Sequence, residues 1–199
     1  MEKVIDFYFD FISPFSYLAE LKLPEIAKKY GAAIHYCPID IPLAKLAAGN
    51  YGPSNREVPA KMGYLSQDLQ RWAKQYGVPL NFPKGFRSPR MNAGTFYAEK
   101  KGDAEGYVHK GFEQTYVIGA DPDSDQTLTE LAKSMGWDPE SFLAYVNSKE
   151  AEKTYRELQL KAYRRGVFGA PMMIVDDQIF WGNDRLMFLE EYLASANQS

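Results

Sequence analysis

Residues 4–19 read VIDFYFDFISPFSYLA, a strand pattern that runs directly into a helix start. From Val4 to Phe11, Ile5, Phe7, Phe9 and Phe11 share one face. Val4, Asp6, Tyr8 and Asp10 share the other, which is the two-residue period of a largely buried strand. Ser13 then offers a capping hydroxyl, and Pro14 is the residue best suited to a first helical position. The run PFSYLAELKLPEIAKKYG predicts one helix ending at Gly31, with Phe15, Leu18, Ala19, Ile26, Ala27 and Tyr30 as its apolar stripe. Pro24 lacks a backbone donor and predicts a kink in that helix. Ala33 to Cys37 (AIHYC) predicts a second strand, parallel to the first through a right-handed crossover.

Working outward, residues from about 40 to 145 change character, with few β-branched runs and several helical patterns. Helices are predicted over Pro59–Tyr76, Met91–Lys100, Gly106–Val117, Leu128–Met135 and Pro139–Val146, with Asp138-Pro139 as a cap and start. No solenoid repeat and no low-complexity linker separates them from the rest. Lys149–Arg165 predicts a charged amphipathic helix ending at Gly166. Pro171–Val175 and Gln178–Trp181 predict two strands around an Asp176-Asp177 turn. Asn183 can cap a last helix over Asp184–Ala194, with Leu186, Leu189 and Leu193 inward. The order β-α-β, helical insert, α-β-β-α is that of a thioredoxin-like α/β fold with a large all-helical insertion. Periodicity alone gives α/β and leaves a ferredoxin-like order open. Residues 1–40 and 147–199 would form the thioredoxin-like domain, and 41–146 the insertion.

The 199 residues carry 23 Lys and Arg against 26 Asp and Glu, a net charge of −3, so nothing favours nucleic acid as a partner. No apolar run reaches the ~20 residues of a membrane span, and Met1 leads almost directly into the first strand. The expectation is a cytoplasmic protein without membrane contact. Cys37 is the single cysteine, which excludes an internal disulfide, a CxxC redox pair and a zinc-thiolate cluster. His35 falls on a strand and His109 on a helix face, and neither is assigned a metal or base role.

Two short stretches coincide with functional positions of this fold. Ser13-Pro14-Phe15-Ser16 occupies the strand-to-helix junction where redox members keep CxxC, with serines at both cysteine positions. An ordinary helix start is the commoner reading of that tetrapeptide taken alone. Serine carries no redox sulfur, but it can donate a hydrogen bond to the thiolate of another molecule. Ala170-Pro171 precedes a strand where such folds hold a cis-proline; a cis bond there would present the Ala170 N–H and C=O to an extended peptide.

Taken together, DFYFDFISPFSYLA, GNYGPSNRE, DLQRWAKQYGVPL and VFGAPMMIVDDQIFWGNDRL resemble the 2-hydroxychromene-2-carboxylate isomerases, relatives of the kappa-class glutathione transferases with a DsbA-like fold. The resemblance spans essentially the whole chain. It implies a homodimeric, glutathione-dependent isomerase of aromatic hydrocarbon catabolism. Thiolate addition, bond rotation and elimination would interconvert 2-hydroxychromene-2-carboxylate and trans-o-hydroxybenzylidenepyruvate. By resemblance, Ser13 would hold the glutathione sulfur, and Ala170 before Pro171 would pair with its cysteinyl backbone. Trp181, Gly182, Asn183 and Asp184 would line its γ-glutamyl end, and Lys61 would approach its glycyl end. Lys45, Asn55 and Arg56 would bind the carboxylate and oxygens of a small aromatic hydroxy or keto acid. Phe86 stands where a tyrosine is expected, so stacking would survive without a phenolic hydrogen bond. The alternatives are a kappa-like transferase acting on other electrophiles and a non-catalytic glutathione-binding module. In either catalytic case the missing thiol arrives as a small molecule.

Overall fold

The computed structural model describes residues 2–196. Met1 and residues 197–199, which the expected domain boundaries include, lie outside the described residues. Strand β1 (Val4–Phe9) puts Ile5, Phe7 and Phe9 at full burial, as the alternation predicts, while Phe11 is buried from the loop that follows. Ser13 caps helix α1 (Pro14–Glu20), and its side chain accepts the Ser16 N–H. The predicted long helix is two. Pro24 cannot donate to residue 20 and its ring crowds that carbonyl, so the chain breaks at Leu21-Lys22 and restarts as α2 (Leu23–Tyr30) with Pro24 in the first turn. Gly31, in the left-handed region, ends α2 and leads into β2 (Ala33–Pro38).

A helix that the sequence reading passed over, α3 (Ile41–Ala47), comes next, capped by the Asp40 carboxylate with Pro42 in its first turn. A short 3-10 turn (Asn55–Glu57) precedes α4 (Pro59–Tyr76), whose bounds match the prediction. Helices α5 (Pro89–Lys101) and α6 (Ala104–Phe112) follow. The predicted continuation of α6 instead widens into π-type turns over Glu113–Ile118. There the Thr115 hydroxyl donates to the Gly111 carbonyl at 2.8 Å, drawing on the acceptor that regular helix would reserve for backbone. Helices α7 (Asp125–Ser134), α8 (Pro139–Val146) and α9 (Lys149–Arg164) complete the helical region. Strands β3 (Met172–Val175) and β4 (Gln178–Trp181) form a hairpin, and a 3-10 turn (Asn183–Arg185) leads into α10 (Leu186–Ala196).

The sheet order is β2-β1-β3-β4. β1 and β2 are parallel with Asp6 opposite His35, and β3 is antiparallel to β1 with Phe7 opposite Met173. This register brings the end of β1 and the beginning of β3 to the same end of the sheet. One face packs Ile5, Phe7 and Phe9 against helices of the insertion and α1. Its aromatic contacts run from Phe9–Phe11 (5.2 Å between ring centroids) through Phe11–Phe112 (4.9 Å). Each such pair adds about 0.5–1.5 kcal/mol beyond area burial. The other face packs Tyr8, Cys37, Met172 and Ile174 against Ala44 of α3 and Ala162 of α9. Among the described residues no helix is long and apolar enough to cross a membrane.

Candidate active site

The loop between β1 and α1 sets the site. Ser13 has extended backbone (φ −96°, ψ 110°), its N–H donates to the Asp10 carbonyl at 2.8 Å, and its Oγ accepts the Ser16 N–H at 3.2 Å. A hydroxyl that accepts this bond still has its own proton to give. Ser13 is 5 % exposed, so a bond it donates would be made largely out of water. Ser16, the second serine of the tetrapeptide, is fully buried and its Oγ has no hydrogen-bond partner. The two serines are therefore unequal in a way their spacing does not reveal.

The Ala170-Pro171 peptide, whose isomer the sequence left open, is cis. The Pro171 carbonyl accepts the Gly182 N–H at 2.9 Å, which fixes the turn after β4 beside the start of β3. Gly182 lies at φ 110°, ψ 151°, a region essentially reserved for glycine. It occupies the cap position, so Asn183 does not cap α10 as predicted but opens the 3-10 turn, buried. Its Nδ2 has no hydrogen-bond partner of ordinary geometry, and the Tyr76 phenol sits beside it. The Asp184 carboxylate accepts from its neighbour Arg185 at 2.6 Å. Trp181 is exposed; its indole stacks edge-on with Phe168 at 4.8 Å and lies over Gly169. Helix α1 packs on both this turn and α4, so the two ends of the chain meet the insertion at Ser13.

From the insertion, Arg56 reaches the same loop. Its guanidinium donates to the Ile12 carbonyl at 3.4 Å and lies 5.4 Å over the Phe86 ring centroid. Phe86 is 74 % exposed, so the ring and the cation together form an open face next to Ser13 rather than a closed core. Lys45, on α3, donates to the Gly52 carbonyl and so leans on the loop that carries Asn55 and Arg56. The Glu57 carboxyl of that loop is held below its ordinary pKa, first by hydrogen bonds from Ser54, with the Lys45 charge adding. Asn55 and Lys61 are exposed; among the described residues neither side chain is hydrogen-bonded to Ser13, Arg56 or Lys45.

Sequence reasoning missed the support beneath this loop. Asp10 is 3 % exposed and accepts from the Ser88 hydroxyl at 2.6 Å and Asn92 Nδ2 at 3.0 Å. Burial pushes its carboxyl pKa up, and those hydrogen bonds pull it back. A second carboxylate after Asp6, just past the end of β1 in an otherwise apolar and aromatic run, was the available signal. Cys37 is 1 % exposed, and burial holds its thiol far above its ordinary pKa, so it is no thiolate source near neutral pH. Two hollows lie off the site: one of about 570 Å³ beside Glu20, Asp103 and His109, and one of about 340 Å³ beside Lys22, Tyr76 and Met187.

Comparison with known proteins places this geometry. Residues 4–194 match the DSBA-like thioredoxin domain. The chain is 53 % identical over 193 residues to the 2-hydroxychromene-2-carboxylate isomerase of Sphingobium xenophagum, covering 97 % of this chain and 99 % of that one. A solved 2-hydroxychromene-2-carboxylate isomerase superposes with a TM-score of 0.92 at 42 % identity, over 97 % of this chain and 95 % of that one. A more distant relative is the glutathione S-transferase kappa 1 of Caenorhabditis elegans, 27 % identical over 95 % of this chain and 90 % of its own.

Proposed function

Because the chain belongs to the DSBA-like thioredoxin family, and within it to the 2-hydroxychromene-2-carboxylate isomerases, we propose that it is a glutathione-dependent isomerase. It interconverts 2-hydroxychromene-2-carboxylate and trans-o-hydroxybenzylidenepyruvate. The observation that carries this reading is the juxtaposition at one loop of a nearly buried Ser13 hydroxyl and, through Ile12, the Arg56 cation on Phe86.

Glutathione fits the residues present. The Ala170 N–H and C=O beside a cis-proline suit an extended cysteinyl backbone. The Nδ2 of Asn183, beside the Tyr76 phenol and without a partner of ordinary geometry, is a donor of the kind a carboxylate satisfies, at the turn proposed for the γ-glutamyl end with Trp181, Gly182 and Asp184. Lys61, in the first turn of α4, is assigned to the glycyl carboxylate. Bound there, glutathione supplies a thiolate for reversible addition to the conjugated carbon of the substrate. Ser13 donates its hydroxyl proton as a hydrogen bond to the sulfur, favouring the anion. Arg56 and Lys45 hold the pyruvyl carboxylate and stabilise negative charge there as the enolate develops, with Asn55 on the adjacent oxygen. Phe86 stacks on the aromatic ring and keeps the Arg56 guanidinium flat. Residues 41–146 act as the substrate-facing insertion on the thioredoxin-like remainder. The protein works in the cytoplasm as a homodimer, which sedimentation velocity at assay concentration measures.

The deciding experiment follows absorbance of the purified protein with 2-hydroxychromene-2-carboxylate, with and without glutathione, while titrating total thiol. Turnover that needs glutathione and leaves total thiol constant is expected. Stoichiometric thiol loss would mean a transferase instead, and an equal rate without glutathione overturns the mechanism.

A further inference from the structure

On the sheet face that packs against α3 and α9, Asp6 of β1 and His35 of β2 stand directly opposite each other, and Cys37 follows two residues on. The two-residue period points His35 and Cys37 to the same side as Asp6. His35 Nδ1 lies 2.8 Å from Asp6 Oδ1 and 3.5 Å from Cys37 Sγ, and the three atoms all fall within 4.8 Å of one another. We propose that Asp6, His35 and Cys37 form a binding site for a divalent transition-metal ion of zinc type, with a fourth position open to water.

The spacing suits such an ion. Tetrahedral bonds of about 2.3 Å to sulfur and 2.0 Å to nitrogen set those atoms about 3.5 Å apart. The Cys37–His35 pair already has that separation. The same geometry asks about 3.3 Å between nitrogen and carboxylate oxygen. Asp6 Oδ1 therefore needs to retreat by about half an ångström.

Two outer contacts strengthen the assignment, because metal-binding groups are usually held from behind. The other carboxylate oxygen of Asp6, Oδ2, accepts from Arg165, which leaves Oδ1 facing the cluster. The other ring nitrogen of His35, Nε2, faces Glu99 Oε1 at 3.9 Å. That separation is beyond hydrogen-bond reach, and on metal binding Glu99 is the carboxylate placed to close on the ring and fix it. Tyr8 completes the surroundings through its hydroxyl contact with Arg165 at 3.2 Å. Cys37 is buried while the His35 side chain is 52 % exposed, so an ion enters from the His35 side. On binding, the Cys37 S–H bond breaks, its proton passes to solvent, and the sulfur electron pair forms the metal bond. The thiolate and the Asp6 carboxylate then balance the two charges of the ion. None of these residues belongs to the proposed isomerase site, so this proposal stands or falls apart from that one.

The test is a cobalt(II) titration of the reduced, metal-stripped protein in the absence of glutathione. One cobalt per chain is expected, with an ultraviolet thiolate-to-cobalt charge-transfer band and the intense visible bands of tetrahedral cobalt, all displaced by zinc. Cys37→Ser and His35→Gln should each abolish the charge-transfer band. Glu99→Gln should weaken cobalt binding by roughly 10–100-fold. Zinc should raise the thermal midpoint of the wild type and leave that of His35→Gln unmoved. His35 is exposed, so its variant decides the matter even where Cys37→Ser fails to fold. No charge-transfer band at stoichiometric cobalt, or a band undiminished in His35→Gln, overturns the proposal.

Discussion

Replacing Ser13 and Ser16 separately by alanine distinguishes two serines that share one tetrapeptide. The Ser13 Oγ accepts the Ser16 N–H at 3.2 Å, so Ser13→Ala removes the cap of α1. Loss of such a cap costs about 1 kcal/mol. In a chain of this length that lowers the thermal midpoint by about 2–4 °C. The same substitution removes the donor proposed for the glutathione sulfur. A hydrogen bond to a charged group contributes about 1.5–3 kcal/mol. At ~1.4 kcal/mol per pKa unit, the bound thiol should rise by about 1–2 units. The thiolate fraction at neutral pH then falls by up to about 10–100-fold, the full factor holding where the bound pKa stands above neutral, and turnover falls with it. Ser16→Ala removes a fully buried hydroxyl whose oxygen has no partner. An unsatisfied buried group is itself destabilising by about 1–3 kcal/mol. Ser16→Ala should therefore leave the midpoint equal or higher and the thiol pKa unmoved. Ultraviolet thiolate absorbance of the glutathione complex across pH, together with thermal melts, reads both quantities. If Ser13→Ala leaves the thiol pKa in place, or Ser16→Ala shifts it equally, the role assigned to Ser13 is refuted.

A β-carbon on Gly94 would run into the Tyr107 hydroxyl oxygen and stand 2.9 Å from the Phe142 ring, and Tyr107 donates to the Met91 carbonyl at 2.7 Å. Gly94→Ala should cost at least the ~1–3 kcal/mol of an overpacked core, read as an earlier urea midpoint. His109 has its pKa raised, first by its hydrogen bond to the buried Glu20 carboxylate. A raised histidine stabilises the fold fully below its unfolded value of about 6.5, and that stabilisation is lost as pH rises through the folded value. Urea unfolding of wild type against His109→Gln should show a gap that closes with rising pH; a gap independent of pH would contradict the ion pair. Arg56→Lys keeps the charge but loses the planar contact with Phe86 and a forked grip on carboxylate. Its KM for the chromene carboxylate should rise about 10-fold, the equivalent of ~1.4 kcal/mol, with a smaller effect on kcat.

Where a structure depends on neighbours in sequence, it was legible. The alternation of β1, the proline-started α4, the Asp138 cap of α8 and the inward Leu186, Leu189 and Leu193 all stand as read. Helix α3 was passed over although Asp40-Ile41-Pro42 carries its local signal, a capping side chain just ahead of a proline in the first turn. The widening at Glu113–Ile118 was not legible, because beside the local Thr115–Gly111 bond it involves the close packing of Gly111 on Phe11, a residue far away in the chain. The site divides in the same way. Ser13 and Pro171 declare themselves locally, through a cap and a proline before a strand. The reach of Arg56 to Ile12 and Phe86 is a tertiary fact that no local pattern encodes. The Asp6, His35 and Cys37 grouping needs the β1–β2 register, without which a lone cysteine and an exposed histidine read as unrelated.

The stability of the fold and the geometry of the proposed site meet in one side chain. The backbone carbonyl of Asp10 accepts the Ser13 N–H at 2.8 Å. Its Oδ1 accepts from Ser88, Asn92 and the Ile12 amide, and its Oδ2 accepts the Ile41 amide at 3.2 Å. Asn92 in turn accepts the Phe11 N–H and reaches the Ile39 carbonyl and the Tyr155 hydroxyl. The carboxylate thus holds the entry to the insertion, at Ile41, and the start of α5, at Ser88, against the loop that ends in Ser13. Phe86 precedes Ser88 by two residues, so the ring under Arg56 is registered to Ser13 through this same acid. A carboxylic acid buried this deeply is costly unless donors surround it, and the donors here come from three segments: Ile12 of the serine loop, Ile41 at the start of α3, and Ser88 and Asn92 at the start of α5. Removing the acid would orphan several of those donors at once and release the Arg56–Phe86 face from the serine it borders. In this protein the network that makes the buried acid tolerable is also what holds the Ser13 loop against the Arg56–Phe86 face.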